Sequence, residues 1–191
     1  MRSLACAGAL ALTALFAGCS DAPTTPSAAT GSRPLAVTKG GESADRLINM
    51  MDACDPETFN AVLGPGACAR QGGVTFAKFI DELTKHGSAG AWHFAPPQTD
   101  AKEGETLLAI NRGGEVHTFT HVEHYGGGIV PILNQLSHNP VIAPECAGLE
   151  ADDFVPPGGV YKEEEPLEPG VQRFQCCIHP WMRTTVTVKG S

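Results

Sequence analysis

Seven residues near the C-terminus, Cys176-Cys177-Ile178-His179-Pro180-Trp181-Met182, constrain this chain more than any other feature. They lie within its last pair of strand-like segments, ahead of an Arg183–Lys189 run that alternates with period two. A thiol, an imidazole and a thioether at Cys-x2-His-x2-Met spacing form a soft ligand set. All three can face one point if the connecting loop turns tightly. Pro180 would stiffen that turn and Trp181 would limit the access of water. Tetrahedral zinc seldom uses a thioether, whereas copper accepts all three donors. A mononuclear site then needs one more nitrogen from a distant strand. His117 is the best candidate, because it begins a β-prone segment just after the Gly113-Gly114 turn.

Ala91–Phe94, Thr106–Asn111 and Val116–Val122 are further short β-prone runs, separated by polar residues and glycine. That pattern belongs to a sandwich or barrel rather than a parallel sheet. With 191 residues, 42% of them hydrophobic, the chain can build one ordinary domain plus something small. The 22 glycines and 15 prolines require many turns. A net charge of -8 argues against nucleic-acid binding, which calls for a basic face. The sequence holds no Ser/His/Asp arrangement, phosphate-binding loop, paired-carboxylate pattern or internal repeat.

At the N-terminus, Arg2 is followed by an apolar run from Leu4 to Ala17, too short to span a bilayer. A charged start, a short apolar stretch and small residues at its end describe a secretory signal. Its end, Leu15-Phe16-Ala17-Gly18-Cys19, is similar to the bacterial lipobox, in which the cysteine is lipidated and becomes the mature N-terminus. Phe16 stands where leucine is usual. Residues 1–18 therefore read as a lipoprotein signal peptide, Cys19 as the lipidation site, and 19–45, rich in Ala, Ser, Thr, Gly and Pro, as a flexible tether. The expectation is an exported protein, periplasmic or at the cell surface, lipid-anchored to a bacterial membrane. An ordinary signal peptide that happens to contain a cysteine is the other reading.

Residues 46–87 read as a small helical segment. Leu47, Ile48, Met50 and Met51 begin an apolar, helix-like run ending near Cys54. Asp55-Pro56 is a helix start, and Gly64-Pro65-Gly66 ends that second helix. Thr75 can cap a third, in which Phe76, Phe79, Ile80 and Leu83 share a face, with Gly87 as its stop. In an oxidising compartment Cys54 and Cys68 would staple the second helix by a disulfide. So short a segment buries little surface alone, so it is expected to pack on the domain that follows, 88–191.

Residues 90–191 resemble a cupredoxin, the blue (type 1) copper fold. The stretches that carry the resemblance are Gly104-Glu105-Thr106-Leu107 before Asn111, His117-Thr118-Phe119, and Glu168-Pro169-Gly170 leading into Phe174-Gln175-Cys176. The Cys-x2-His-x2-Met spacing, with proline after the histidine, resembles the short ligand loop of amicyanin. The resemblance implies an all-β, Greek-key β-sandwich with the helical segment as an N-terminal extension. It implies one copper per chain, held by His117, Cys176, His179 and Met182, with methionine as a long axial ligand. It also implies an exposed edge of His179 within an apolar patch that takes in Pro180 and Trp181.

Two features depart from the family pattern. The 58 residues between His117 and Cys176 include an insertion-like stretch, 126–144, whose Pro131–Leu136 could form a short helix or cover the site. The second is the pair Cys176-Cys177. Family spacing gives Cys176 to the metal, and strand alternation then turns Cys177 away. Cys146 becomes its disulfide partner, which leaves Cys176 as the unpaired thiol once Cys6 and Cys19 are set aside.

The implied function is one-electron transfer between Cu(I) and Cu(II). A filled ligand set leaves no open position for a substrate, so an enzyme is not expected. The alternatives are a copper delivery or storage protein using the same ligands, and a metal-free structural domain. From Glu145 to Glu168 there are eight acids and one base, Lys162. They form either a solvated face or a docking patch for a basic redox partner such as a c-type cytochrome. His121 and His124 read as solvent-exposed, with His121 as a group behind the ligands in the other reading.

Overall fold

The computed structural model describes residues 46–190; the expected signal peptide, Cys19 and the tether lie outside the described residues. The first strand, β1 (Arg46–Met51), buries Ile48 and Met50 and leaves Leu47 exposed. A helix was expected here. Apolar residues at 47, 48, 50 and 51 fit either period, and pairing with a neighbouring strand decides between them.

The two following helices match their sequence signals. Asp55 caps α1 (Pro56–Leu63) by accepting from the Thr58 amide at 3.1 Å. Thr75 caps α2 (Phe76–His86) in the same way through Lys78, and Gly87 closes it at φ 69°, a left-handed conformation that favours glycine.

The remaining elements are β2 (His93–Ala95), β3 (Gln98–Lys102), β4 (Leu107–Asn111), β5 (His117–Thr118), β6 (Thr120–Val122), α3 (Pro131–Leu136), β7 (Phe154–Val155), β8 (Val160–Lys162), β9 (Gly170–Gln175) and β10 (Arg183–Lys189). One four-stranded sheet runs β2-β1-β4-β8 and a second runs β3-β10-β9-β6, while β5 pairs with β7. Both four-stranded sheets are mixed: β1 is parallel to β4, β3 is parallel to β10, and the other pairs are antiparallel.

A single buried cluster unites these parts. It takes Ile48, Met50, Leu107 and Ala109 from the first sheet, Ala101, Phe174, Val186 and Val188 from the second, and Phe59, Phe79 and Leu83 from the helices. Trp92 stacks on Phe59 at 5.7 Å and sits 4.5 Å from Phe79, which fastens α1 and α2 to the sheets. The described residues form a mostly β fold with β1 built into a sheet rather than set ahead of it. The disulfide Cys54–Cys68 ties the chain on either side of α1, and Cys146–Cys177 ties a 3-10 turn (Pro144–Gly148) to the end of β9.

Candidate metal centre

Cys176 follows directly on β9, and the chain then doubles back into β10. The Met182 amide donates to the His179 carbonyl at 2.9 Å, and the Cys176 amide donates to the Met182 carbonyl at 3.0 Å. This tight turn brings His179 Nδ1 to 3.8 Å from Cys176 Sγ. From β5, His117 points its own Nδ1 at the same sulfur from 3.9 Å. The donor atoms of these three buried residues all lie within 4.8 Å of one another.

The spacing agrees with elementary coordination geometry. Metal–nitrogen and metal–sulfur bonds of about 2.0 and 2.3 Å, at a trigonal angle, separate nitrogen from sulfur by about 3.7 Å. Three soft or borderline donors at that separation fit a thiolate-binding transition metal such as copper. Met182, the fourth expected ligand, is fully buried and held beside Cys176 by the backbone pairing.

The amides of Thr118 and His179 approach Sγ at 3.4 and 3.5 Å. Burial pushes the Cys176 thiol up, but hydrogen bonds to His117 and His179 outweigh it and hold the pKa well below that of an ordinary cysteine. The sulfur is therefore poised as a thiolate, the form a metal binds. Cys177 faces away into its disulfide with Cys146, so Cys176 is the free cysteine among the described residues.

Each imidazole has a carboxylate behind it, and the sequence reading missed both. Asp52, just past β1, stands 2.9 Å from His117 Nε2, with both side chains fully buried. Burial opposes charge on each, yet their hydrogen bond prevails: Asp52 is lowered to about 2 and His117 is raised to about 9. Removing one partner of such a buried pair costs about 3–5 kcal/mol. Glu115 stands 3.7 Å from His179 Nε2, and burial pushes its carboxyl upward. One signal for Asp52 was available. Gly113-Gly114 marks a close approach by another part of the chain, and that part is Asp52 together with Cys54.

His179 differs from expectation. It is only 3% exposed, because the helical segment covers it. Phe79 of α2 meets it edge-on at 6.4 Å and Trp181 at 5.4 Å. A groove of about 230 Å³, lined by Leu63, Phe76, Ile80, Ile132, Leu133 and Ile178, ends on His179 and Glu115. Ile132 and Leu133 belong to α3, so the inserted stretch does form a short helix and does line the approach to the site. His121 and His124 are exposed, as are Glu164, Glu165 and Glu168 of the acidic run.

A mostly β chain with a buried His–Cys–His cluster between strand ends is the class of protein these observations define. Compared with known proteins, the chain matches no family profile and no curated sequence. Among solved structures it is similar to a purple cupredoxin from Nitrosopumilus maritimus, at 16% identity and a TM-score of 0.42, covering 76% of this chain and all of that one. It is also similar to a Cu(I) structure of an amicyanin mutant, at 20% identity and a TM-score of 0.35, covering 53% of this chain and 76% of that one. Oxidised plastocyanin from Dryopteris crassirhizoma matches at 20% identity and a TM-score of 0.34, covering 51% and 89% respectively.

Proposed function

We propose that this chain is a copper-binding electron-transfer protein with one mononuclear type 1 site, which His117, Cys176, His179 and Met182 would hold, on a Greek-key β-sandwich. The observation that carries the reading is the pair of nitrogen–sulfur separations, 3.9 and 3.8 Å, around a buried free cysteine. Copper, when bound, supplies a one-electron couple. The chain's own residues hold the donors still and dry. The Thr118 and His179 amides orient the sulfur, the 176–182 turn fixes His179 and Met182, and Asp52 fixes His117. A donor set held this rigidly has little to rearrange when the metal's charge changes.

His179 lines both the site and the apolar groove, which makes that groove the natural route for an electron. On this reading the four side chains fill the metal's ligand set, and the protein is a carrier rather than an enzyme. On the same reading it is exported, anchored through lipidated Cys19, and offers its acidic residues between Glu145 and Glu168 to a basic redox partner such as a c-type cytochrome.

The test is to add Cu(II) to the purified protein. An intense visible thiolate-to-copper band is expected; Cys176→Ser should abolish it and Cys177→Ser should keep it. Reversible reduction without loss of metal supports electron transfer, whereas ready release of Cu(I) to an acceptor would favour delivery or storage. Absence of the band in a protein whose Cys176 thiol is intact would overturn the type 1 site.

A further inference from the structure

We infer that Asp52 is a positioning residue for this metal centre: it holds the His117 ring with Nε2–H on its carboxylate and Nδ1 free for the metal, and it favours the more highly charged Cu(II) ion. The inference rests on the copper reading above.

The surroundings of Asp52 are built for a carboxylate. Its Oδ1 accepts from the Gly114 amide at 2.9 Å and the Cys54 amide at 3.2 Å. Its Oδ2 accepts from the Glu115 amide at 3.0 Å and faces His117 Nε2 at 2.9 Å. Four donors converge on two oxygens, so an acceptor-only group is required at both positions; an asparagine would set an NH2 against N–H groups whichever way it turned. Space is reserved as well. A Cβ on Gly113 would overlap the Asp52 carboxylate, and one on Gly114 would overlap Cys54 Sγ.

The rest of the segment fixes where that carboxylate stands. Asp52 lies between β1, which pairs with β4, and Cys54, which is tied to Cys68. The Ala69 amide donates to the Gly114 carbonyl at 2.8 Å, closing the same corner from the other side. Strand, disulfide and glycine turn therefore deliver one buried charge to the rear of His117. Among the described residues, His117 is the ion-pair partner of Asp52.

A carboxylate behind a ligating imidazole fixes its tautomer and raises its donor strength, and loss of such a partner typically lowers metal affinity about 10–100-fold. The sign of the redox effect follows from charge. A buried anion near the site stabilises Cu(II) more than Cu(I), so it lowers the reduction potential.

The experiment compares the full wild-type chain with Asp52→Asn and Asp52→Ala. Each is titrated with Cu(II) and Cu(I) against competing chelators, its midpoint potential is measured, and the diamagnetic Cu(I) form is examined by proton NMR. The variants should lose about 10–100-fold in Cu(II) affinity, lose less in Cu(I) affinity, and show a raised potential. Wild type should show a slowly exchanging His117 Nε2–H that the variants lose. A merely structural Asp52 would weaken both ions equally and leave the potential in place, and that result overturns the inference. If neither variant folds, the wild-type spectrum decides alone: protonation at Nδ1 rather than Nε2 of His117 overturns it. A wild type that forms no thiolate–copper band overturns the functional reading and this inference together. A wild type with the band but variants with unchanged potential overturns only this inference.

Discussion

Glu115 holds its carboxylate 3.7 Å from Nε2 of His179, and the indole N–H of Trp92 donates to that same carboxylate at 2.6 Å. With Asp52 behind His117, both imidazoles of the cluster are therefore backed by buried acids on the ring nitrogen that faces away from sulfur. The acids come from different places, one from just past β1 and one from the loop before β5. The centre is thus enclosed by residues that are far apart in sequence but locked into one core.

Trp92→Phe is expected to destabilise the fold by more than its lost volume, because it leaves a buried carboxylate oxygen short of a donor, a loss of about 1–3 kcal/mol. Urea unfolding of Trp92→Phe, Glu115→Gln and the double variant separates the two contributions. A coupling energy of about 1 kcal/mol or more is expected. Strictly additive losses would mean that the 2.6 Å contact contributes nothing of its own.

Thiol accounting gives a second outcome. In the native protein Cys176 should resist alkylation and react only on unfolding, since it is fully buried. Replacing both members of Cys54–Cys68 or of Cys146–Cys177 by serine should cost about 3 and about 3–4 kcal/mol respectively, from loops of 14 and 31 residues' separation. Peptide mapping without reduction checks the pairing. A Cys176–Cys177 or Cys146–Cys176 link would contradict it.

The 176–182 turn was legible because its parts are local: Cys176, His179 and Met182 lie within seven residues, and the chain doubles back between them. His117 was legible through the glycine turn before it. The caps at Asp55 and Thr75 were equally plain, since each needs only its own side chain and an amide three residues on. What could not be read was set by pairing across long distances. The β1 run satisfies helix and strand periods alike, and pairing with β2 and β4, both far along the chain, makes it a strand. Polar Gln98–Lys102 becomes β3 because β10 lies beside it, not because its residues favour a sheet. Asp52 and Glu115 carried no motif, and their significance comes entirely from the histidines they meet. The burial of His179 depends on α2 folding back over the site, a tertiary contact no local pattern encodes.

That cover can be removed. Phe79 packs between Trp92, His179 and Trp181, at 4.5, 6.4 and 6.0 Å between ring centres. Phe79→Ala should cost about 3–5 kcal/mol and open the apolar groove onto His179. Hydrogen–deuterium exchange at the imidazole Cε1, read by mass spectrometry, should speed up at His179 and stay slow at His117. Equal acceleration at both would indicate general loosening rather than removal of a lid over one ring.

The start of β1 carries a pH dependence. Arg46 Nε and Nη2 donate to the two oxygens of Glu105 at 2.7 and 3.1 Å, and the Lys102 amide donates to one of them at 2.8 Å. The Arg46 and Lys102 hydrogen bonds hold the Glu105 carboxyl below its ordinary 4.5. The folded state therefore binds the proton more weakly than the unfolded chain. The contribution to stability is complete above about pH 4.5 and is lost as pH falls through the lower, folded-state value. Arg46 is 39% exposed, so water screens the pair and its contribution is on the order of 1 kcal/mol. Glu105→Gln should be less stable than wild type at pH 7, and the two should converge as the acid limb is crossed. A constant gap between their unfolding midpoints down to the foot of that limb would show that ionisation of Glu105 is not what anchors β1.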